Sequence, residues 1–200
     1  MRPGTFERVY AAIKDQLRHG LFRPGQRLEP AILSTELNAS VTPVRDALHR
    51  LTGERLVEAP RHEGFRVPFL TETTLRHLYA WHRDLLLMAI ASHRTSDSQV
   101  EGAGRTGAET FSEQQNAIFL ELARATGNPE HGLALEGLLE RLEPFQRFEA
   151  EFLDAIEEET AEIIAALKSG DRSRLRSALL RYHRRRARII PELLGRHQTS

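Results

Sequence analysis

The sequence contains no cysteine, which excludes a disulfide scaffold, a thiolate zinc site, an iron–sulfur cluster and a cysteine nucleophile. Aromatic residues are scarce, at 6%, with a single tryptophan. Long apolar runs are missing as well: the longest, Leu85 to Ala91, falls far short of the roughly 20 residues a bilayer-crossing helix needs. The opening stretch MRPGTFERVY has no hydrophobic signal segment, so a cytoplasmic protein without membrane contact is the expectation. No Walker loop, nucleophile elbow or dinucleotide fingerprint occurs. What remains is a chain of 200 residues, 40% hydrophobic and 28% charged, rich in helix formers and long enough for one or two small domains.

Net charge is zero, but its distribution is uneven. Residues 1–70 hold eleven Lys and Arg against eight Asp and Glu, a weak excess compatible with a nucleic-acid partner. From Glu130 to Glu162 there are eleven acids and two arginines, whereas Asp171 to Arg188 holds eight arginines and one acid. These stretches read as neighbouring helices with solvated, complementary faces. Within the acidic one, Glu157, Glu158 and Glu159 are consecutive, so they point around a helix rather than converge on a site.

In the first part, Val9, Ala12, Ile13, Gln16 and Leu17 fit a helix from Phe6 to Arg18, stopped by Gly20. Pro24-Gly25 turns the chain into a short helix with Ile32, Leu33 and Leu37 inward. After a turn at Asn38 to Ser40, Thr42 caps a third helix that has Pro43 at its first position. There Val44, Ala47, Leu48 and Leu51 form one apolar stripe, leaving Thr42, Arg45, Asp46, His49 and Arg50 outward. Extended runs at Leu56–Ala59 and Phe65–Phe69 suggest a hairpin around PRHEG. This order is that of a winged helix-turn-helix, whose recognition helix enters a major groove N-terminus first. Arg45 sits where a guanidinium could fork onto guanine or clamp a phosphate.

The segments RPGQRL (Arg23 to Leu28), SVTPVRDALHRL (Ser40 to Leu51), ERLVE (Glu54 to Glu58) and Gly64 resemble the GntR family of bacterial transcription regulators. The resemblance implies DNA contacts from Ser40, Thr42 and Arg45, with Gly64 and its neighbours Arg61 and His62 at the wing; His49 and Arg50 extend the same outward face. Two departures stand out: the family commonly has arginine where this chain has Val41 and Ala31. A valine there can pack on a thymine methyl, so base preference does not carry over from relatives.

Beyond Leu70, longer helices are expected at about Glu72–His93, Glu109–Thr126, Pro129–Glu143, Gln146–Ser169 and Arg172–Leu194, with a mobile loop from Arg94 to Gly107. Apolar stripes run through Leu75, Leu78, Tyr79, Leu86 and Ala89; through Phe111, Ile118, Leu122 and Ala125; through Phe152, Ile156, Ile163 and Leu167; and through Leu175, Leu179 and Tyr182. Each carries one polar group near its middle: His82, Gln115, Thr160 and Tyr182. Such groups either bond to one another or line a small pocket. The other eight histidines show no pair at i, i+4 with an acidic companion, which favours surface or capping roles. The string His82-Arg83-Asp84-Leu85 mimics a kinase catalytic loop, but the required asparagine is Ala89 and no glycine-rich loop accompanies it.

LYAWHRDLL, IFLELARATGN and IIAALKSGD resemble, in order and spacing, the FCD effector domain of the FadR subfamily. That resemblance implies a divalent metal held by an Asp and three His. The matching positions here are Gln115, Phe119, Thr160 and Tyr182, with His183 turned about 100° from the inward direction. A phenyl ring cannot coordinate, and neutral amide and hydroxyl oxygens are poor substitutes, so no metal or other cofactor is expected.

The sequence thus predicts a mainly α chain: a winged helix-turn-helix domain over 1–70, then an all-helical effector and dimerisation domain over 71–200. The expected function is a regulator, a repressor by family habit, binding near-palindromic double-stranded DNA as a homodimer. A small-molecule effector would occupy a pocket around His82, Gln115, Phe119, Thr160 and Tyr182. The alternatives are a constitutive DNA binder with a purely structural helical domain, or a helical enzyme with an accessory winged domain. For the enzyme, no convergent acid/base or metal set can be assembled.

Overall fold

A computed structural model describes residues 4–92 and 111–199; the expected Arg94–Gly107 loop lies outside them. The described chain is mainly helical, a winged helix-turn-helix followed by helices, and divides into two compact units: Met1–Thr71 with Arg196–Ser200, and Glu72–Gly195.

The first unit is built from α1 (Thr5–Arg18), β1 (Arg27–Leu28), α2 (Pro30–Glu36), α3 (Val41–Gly53) and β2 (Phe65–Arg66). Val9, Ile13 and Leu17 recur every fourth residue and bury one stripe of α1. Val44, Ala47, Leu48 and Leu51 do the same for α3, and all four are completely inaccessible. Full burial of each large apolar side chain is worth about 1.5–3 kcal/mol. These stripes, with Leu28, Leu33, Leu56, Val57, Phe65 and Val67, form one core.

Three local expectations are corrected. Ser40, not Thr42, is the N-cap of α3, so Thr42 and Pro43 lie within the first turn. Ile32 faces solvent, 54% exposed, because the seven-residue α2 buries only Leu33 and Ser34. The wing hairpin reduces to a single bridge between Glu58 and Arg66, while β2 pairs antiparallel with β1, which was not foreseen. Its register sets Arg27 opposite Arg66 and Leu28 opposite Phe65.

The second unit contains α4 (Glu72–Ser92), α5 (Phe111–Arg124), α6 (Pro129–Gln146), α7 (Glu149–Phe152), α8 (Ile156–Lys168), α9 (Arg172–Arg188) and the start of α10 (Ile190–Thr199). Helix α4 packs against α5, α6 and α9, and α8 packs against α5 and α9. Two single helices of the sequence reading are broken. The expected Gln146–Ser169 helix splits into α7 and α8 at Ala155, which adopts a left-handed conformation (φ 54°). The carbonyl of Asp154 in that turn accepts a hydrogen bond from the Arg185 guanidinium. The last helix breaks at Ile189, two residues before Pro191, whose missing N–H leaves the Ala187 carbonyl without a helical donor; that carbonyl accepts from Arg76 instead. Phe111 and Phe152, expected inward, are 45% and 37% exposed; Phe111 opens α5, and Phe152 closes the short α7.

Candidate functional site

In the first unit the burial of α3 along one stripe presents the opposite side to solvent. Ser40, Thr42, Arg45, Asp46, His49 and Arg50 are all exposed. Ser40 makes no side-chain capping bond, so the first N–H groups of α3 stay available, in the geometry that accepts a phosphate at a helix N-terminus. The ring of His49 stands edge-on to Phe65 at 4.9 Å, linking the helix to the wing strand. Arg50 behaves differently: its guanidinium lies 4.1 Å from the Tyr10 ring and its Nε donates to Glu54 at 3.2 Å. Glu54 also accepts from the Tyr10 hydroxyl at 2.7 Å and pairs with Lys14 at 3.1 Å. Burial would raise the Glu54 carboxyl, but the bonds from Tyr10 and Lys14 outweigh it and hold the group below the usual range.

At the wing, Arg61, His62 and Gly64 are exposed around a tight turn in which His62 (φ 64°) and Gly64 (φ 78°) are both left-handed. Gly64 meets this demand at no steric cost. Between the N-termini of α2 and α3 and the wing lies a cleft of about 410 Å³, lined by Arg27, Ala31, Val41, Arg45, Gly64 and Phe65 among others. The two positions where the resemblance leads one to expect arginine, Ala31 and Val41, therefore share an apolar patch beside Arg45. Arg27 was missed by sequence reasoning. Only the β1–β2 pairing, which two-residue strands scarcely signal, brings its guanidinium within 3.7 Å of where a Gly64 side chain would begin.

In the second unit, His82, Gln115, Phe119, Thr160 and Tyr182 are brought together and buried. Gln115 donates to Thr160 Oγ1 at 2.6 Å, and Thr160 donates to the Ile156 carbonyl at 2.8 Å. Phe119 sits edge-on to both His82 and Tyr182, with ring centroids 5.2 Å apart in each case. His183, expected off the inward direction, is buried too: α9 packs against both α4 and α8, so its hidden arc is wider than one stripe. Its Nδ1 lies 2.7 Å from the Leu179 carbonyl and its Nε2 lies 2.9 Å from His82 Nδ1. A carbonyl only accepts, so His183 carries its proton on Nδ1 and accepts at Nε2 from His82 Nδ1–H. His82 Nε2 is then an acceptor with no partner among the described residues, and the Tyr182 hydroxyl has none either. Burial keeps both imidazoles neutral, His82 well below its usual range and His183 down at about 4.

Two further corrections concern charge. Arg186, on the face expected to be solvated, is completely inaccessible, and Glu159 from the acidic run is buried as well. Arg186 donates to Glu149 at 2.8 Å and to Glu159 at 2.6 Å, with its guanidinium carbon 3.4 Å from the Tyr182 ring centroid. Tyr79 donates to the other Glu149 oxygen at 2.7 Å, and Arg185 donates to the other Glu159 oxygen at 3.0 Å. Burial raises the Glu149 carboxyl against the opposing pull of Arg186 and Tyr79. The donor set does not fit the metal that the FCD resemblance implies. Gln115 donates its Nε2 to Thr160 and has only a neutral amide oxygen to offer, Phe119 offers a ring, and the acceptor nitrogen of His183 serves His82. Among the described residues no cluster of three His, Cys, Asp or Glu is placed to hold a metal ion, and no helix is long and apolar enough to cross a membrane.

A short helix, a second helix with a solvent-facing polar side and a strand at its flank make up a winged helix-turn-helix. Residues 5–67 match the model of the bacterial regulatory proteins, gntR family, and so lie within the winged helix-turn-helix described above. Over 81 residues the chain is 36% identical to the Nta operon transcriptional regulator of Aminobacter aminovorans, covering 40% of this chain and 39% of that protein. It is 35% identical over 79 residues to the transcriptional regulator McbR of Escherichia coli (strain K12), covering 40% of this chain and 36% of that one. The sequence match thus spans about two fifths of the length of these relatives. In fold the likeness extends further: the McbR/YncC structure superposes with a TM-score of 0.71 at 24% identity, over 96% of this chain and 99% of that one. A GntR protein from Rhodococcus sp. RHA1 superposes with a TM-score of 0.75 at 20% identity, over 95% and 97%.

Proposed function

We propose that the chain is a transcription regulator, acting as a repressor, that binds a near-palindromic double-stranded operator as a homodimer. Residues 1–70 read the DNA, and residues 71–200 supply dimerisation and effector binding. The observation that carries this reading is the exposed N-terminal turn of α3, with Ser40, Thr42 and Arg45 on one side of a gntR-type domain and the Arg61–Gly64 wing beside it. Arg45 contacts base edges or phosphate; Ser40 and the free N–H groups of α3 hold phosphate; Arg61, His62 and Gly64 approach the adjacent minor groove. His49 follows along the same face. Arg50, engaged with Tyr10 and Glu54, contributes least. The sequence-matched relatives are themselves named as transcription regulators.

The effector pocket is the cluster of His82, Gln115, Phe119, Thr160 and Tyr182. Its support is the unpartnered His82 Nε2 and Tyr182 hydroxyl, an acceptor and a donor buried in one ring cluster, because such groups ordinarily have partners. The mutual bonds of Gln115 with Thr160 and of His82 with His183 favour a second reading, a constitutive binder whose helical domain is structural.

Selection of genomic fragments by the purified chain, followed by footprinting, tests the proposal. It predicts two half-sites about one duplex turn apart, and a log–log salt slope of about −0.9 per phosphate contact. Retention of fragments without any shared sequence would refute it.

A further inference from the structure

We infer that Val41 and Ala31 read thymine: the apolar patch they form in the cleft beside the wing receives the C5-methyl group of a T·A pair. The inference rests on the proposed role of α3 as the helix that enters the major groove. Val41 is the first residue of α3 and is 39% exposed, and Ala31, in the first turn of α2, is exposed as well. The fold does not need an apolar side chain at either position. The stripe that seats α3 in the core begins at Val44, and α2 buries Leu33 and Ser34.

The surroundings of the patch are charged. Arg27, Glu29 and Arg45 line the same cleft, are exposed, and make no hydrogen bond or ion pair among the described residues. An uncovered apolar patch beside two unpaired guanidinium groups fits a partner that is anionic and also carries an apolar group. In the major groove the base edges offer hydrogen-bond donors and acceptors, and among the four bases thymine alone adds a methyl group. An alkyl side chain pressed on the O6 and N7 of guanine would strip both of water and return no hydrogen bond. Against the thymine methyl, the same side chain buries apolar surface. The Glu29 carboxylate works in the same direction: negative charge disfavours the two guanine acceptors and suits the N6 amino donor of the adenine paired with thymine. Arg45 follows Val41 by four residues on one face of α3, about 6 Å along the axis. The base pair it addresses is therefore about two steps from the thymine.

The test uses duplexes carrying the operator selected by the full chain, with binding followed by fluorescence anisotropy. Each thymine of the half-site is replaced in turn by deoxyuridine, symmetrically in both half-sites, which removes only the methyl group. At one position, or at two adjacent ones, the replacement should weaken binding about fourfold per half-site, the loss expected for one buried methyl group. Cytosine at that position should bind more weakly still, and 5-methylcytosine should recover about fourfold per half-site relative to cytosine. In Val41→Ser the preference for thymine over deoxyuridine should fall below about twofold, because the alkyl surface that met the methyl is gone. Val41 is exposed, so this variant should unfold at the wild-type urea midpoint, which separates lost reading from a lost fold. Selective binding in which no thymine responds to loss of its methyl group would overturn the inference and leave α3 as the recognition helix. So would a deoxyuridine penalty that is unchanged in Val41→Ser. Absence of selective binding by the wild-type chain would overturn that role of α3, and this inference with it.

Discussion

The two units place their charges in opposite ways. In the first, the core is apolar and its arginines lie at the surface, where Arg45 and Arg61 are open to solvent and Arg50 and Arg66 are paired with neighbouring glutamates. In the second, a guanidinium, three carboxylates (Glu143, Glu149 and Glu159) and two imidazoles are buried among the helices. A surface charge held by flexible side chains adds little to stability but is available to a partner; a buried charge is costly to strip of water and must be answered on every side. The first arrangement suits recognition of another molecule, and the second fixes how helices distant in sequence sit together. Arg186 ties α9 to both α7 and α8 through Glu149 and Glu159, and through Glu149 to Tyr79 on α4.

The strongest way to break this comparison is Arg186→Met, which leaves two buried carboxylates without their shared cation. Loss of one partner from a buried ion cluster costs about 3–5 kcal/mol, so urea unfolding should show a loss of that size. A change below about 1 kcal/mol, the figure for an exposed pair, would erase the distinction between the units.

Acidification should come next. His82 and His183 have folded-state proton affinities below those of the unfolded chain, so the unfolded state binds more protons as pH falls. Their contribution is complete above about 6.5 and is lost as pH falls toward the His183 value of about 4; that histidine alone accounts for roughly 3 kcal/mol. Unfolding midpoints recorded from pH 7 to pH 4 check it. His183→Gln should flatten the fall, and a wild-type midpoint that stays level across this range would show that the pair titrates normally.

The first unit was the more legible in sequence for the same reason that it differs. A single-sided helix writes its burial as a period, so Val44, Ala47, Leu48 and Leu51 could be read off directly, and the outward residues followed by exclusion. What failed there was short-range: Ser40 rather than Thr42 at the cap, and strands of two residues, too brief for an alternating pattern. In the second unit, the inward set His82, Gln115, Thr160 and Tyr182 was visible as polar residues on apolar stripes. Its charged half was not. Arg186 is one of eight arginines in its stretch and Glu159 one of three consecutive glutamates; only the packing of α9 on two neighbours distinguishes them. The break at Ala155 was equally hidden, since left-handed backbone is ordinarily signalled by glycine. Ala155→Gly sharpens that point with the smallest effect: relief of the left-handed alanine should stabilise the second unit by up to about 1 kcal/mol. A destabilised variant in thermal unfolding would mean that the turn is not strained.

The central claim is that recognition resides in exposed residues which the fold does not need. Arg45→Ala tests it most directly, with DNA affinity by fluorescence anisotropy on a selected operator and the urea midpoint measured on the same preparation. Affinity should fall by about 1–3 kcal/mol, roughly 5- to 150-fold, while the midpoint stays at the wild-type value. Unchanged affinity, or a loss of binding that appears only together with a lowered midpoint, would contradict it.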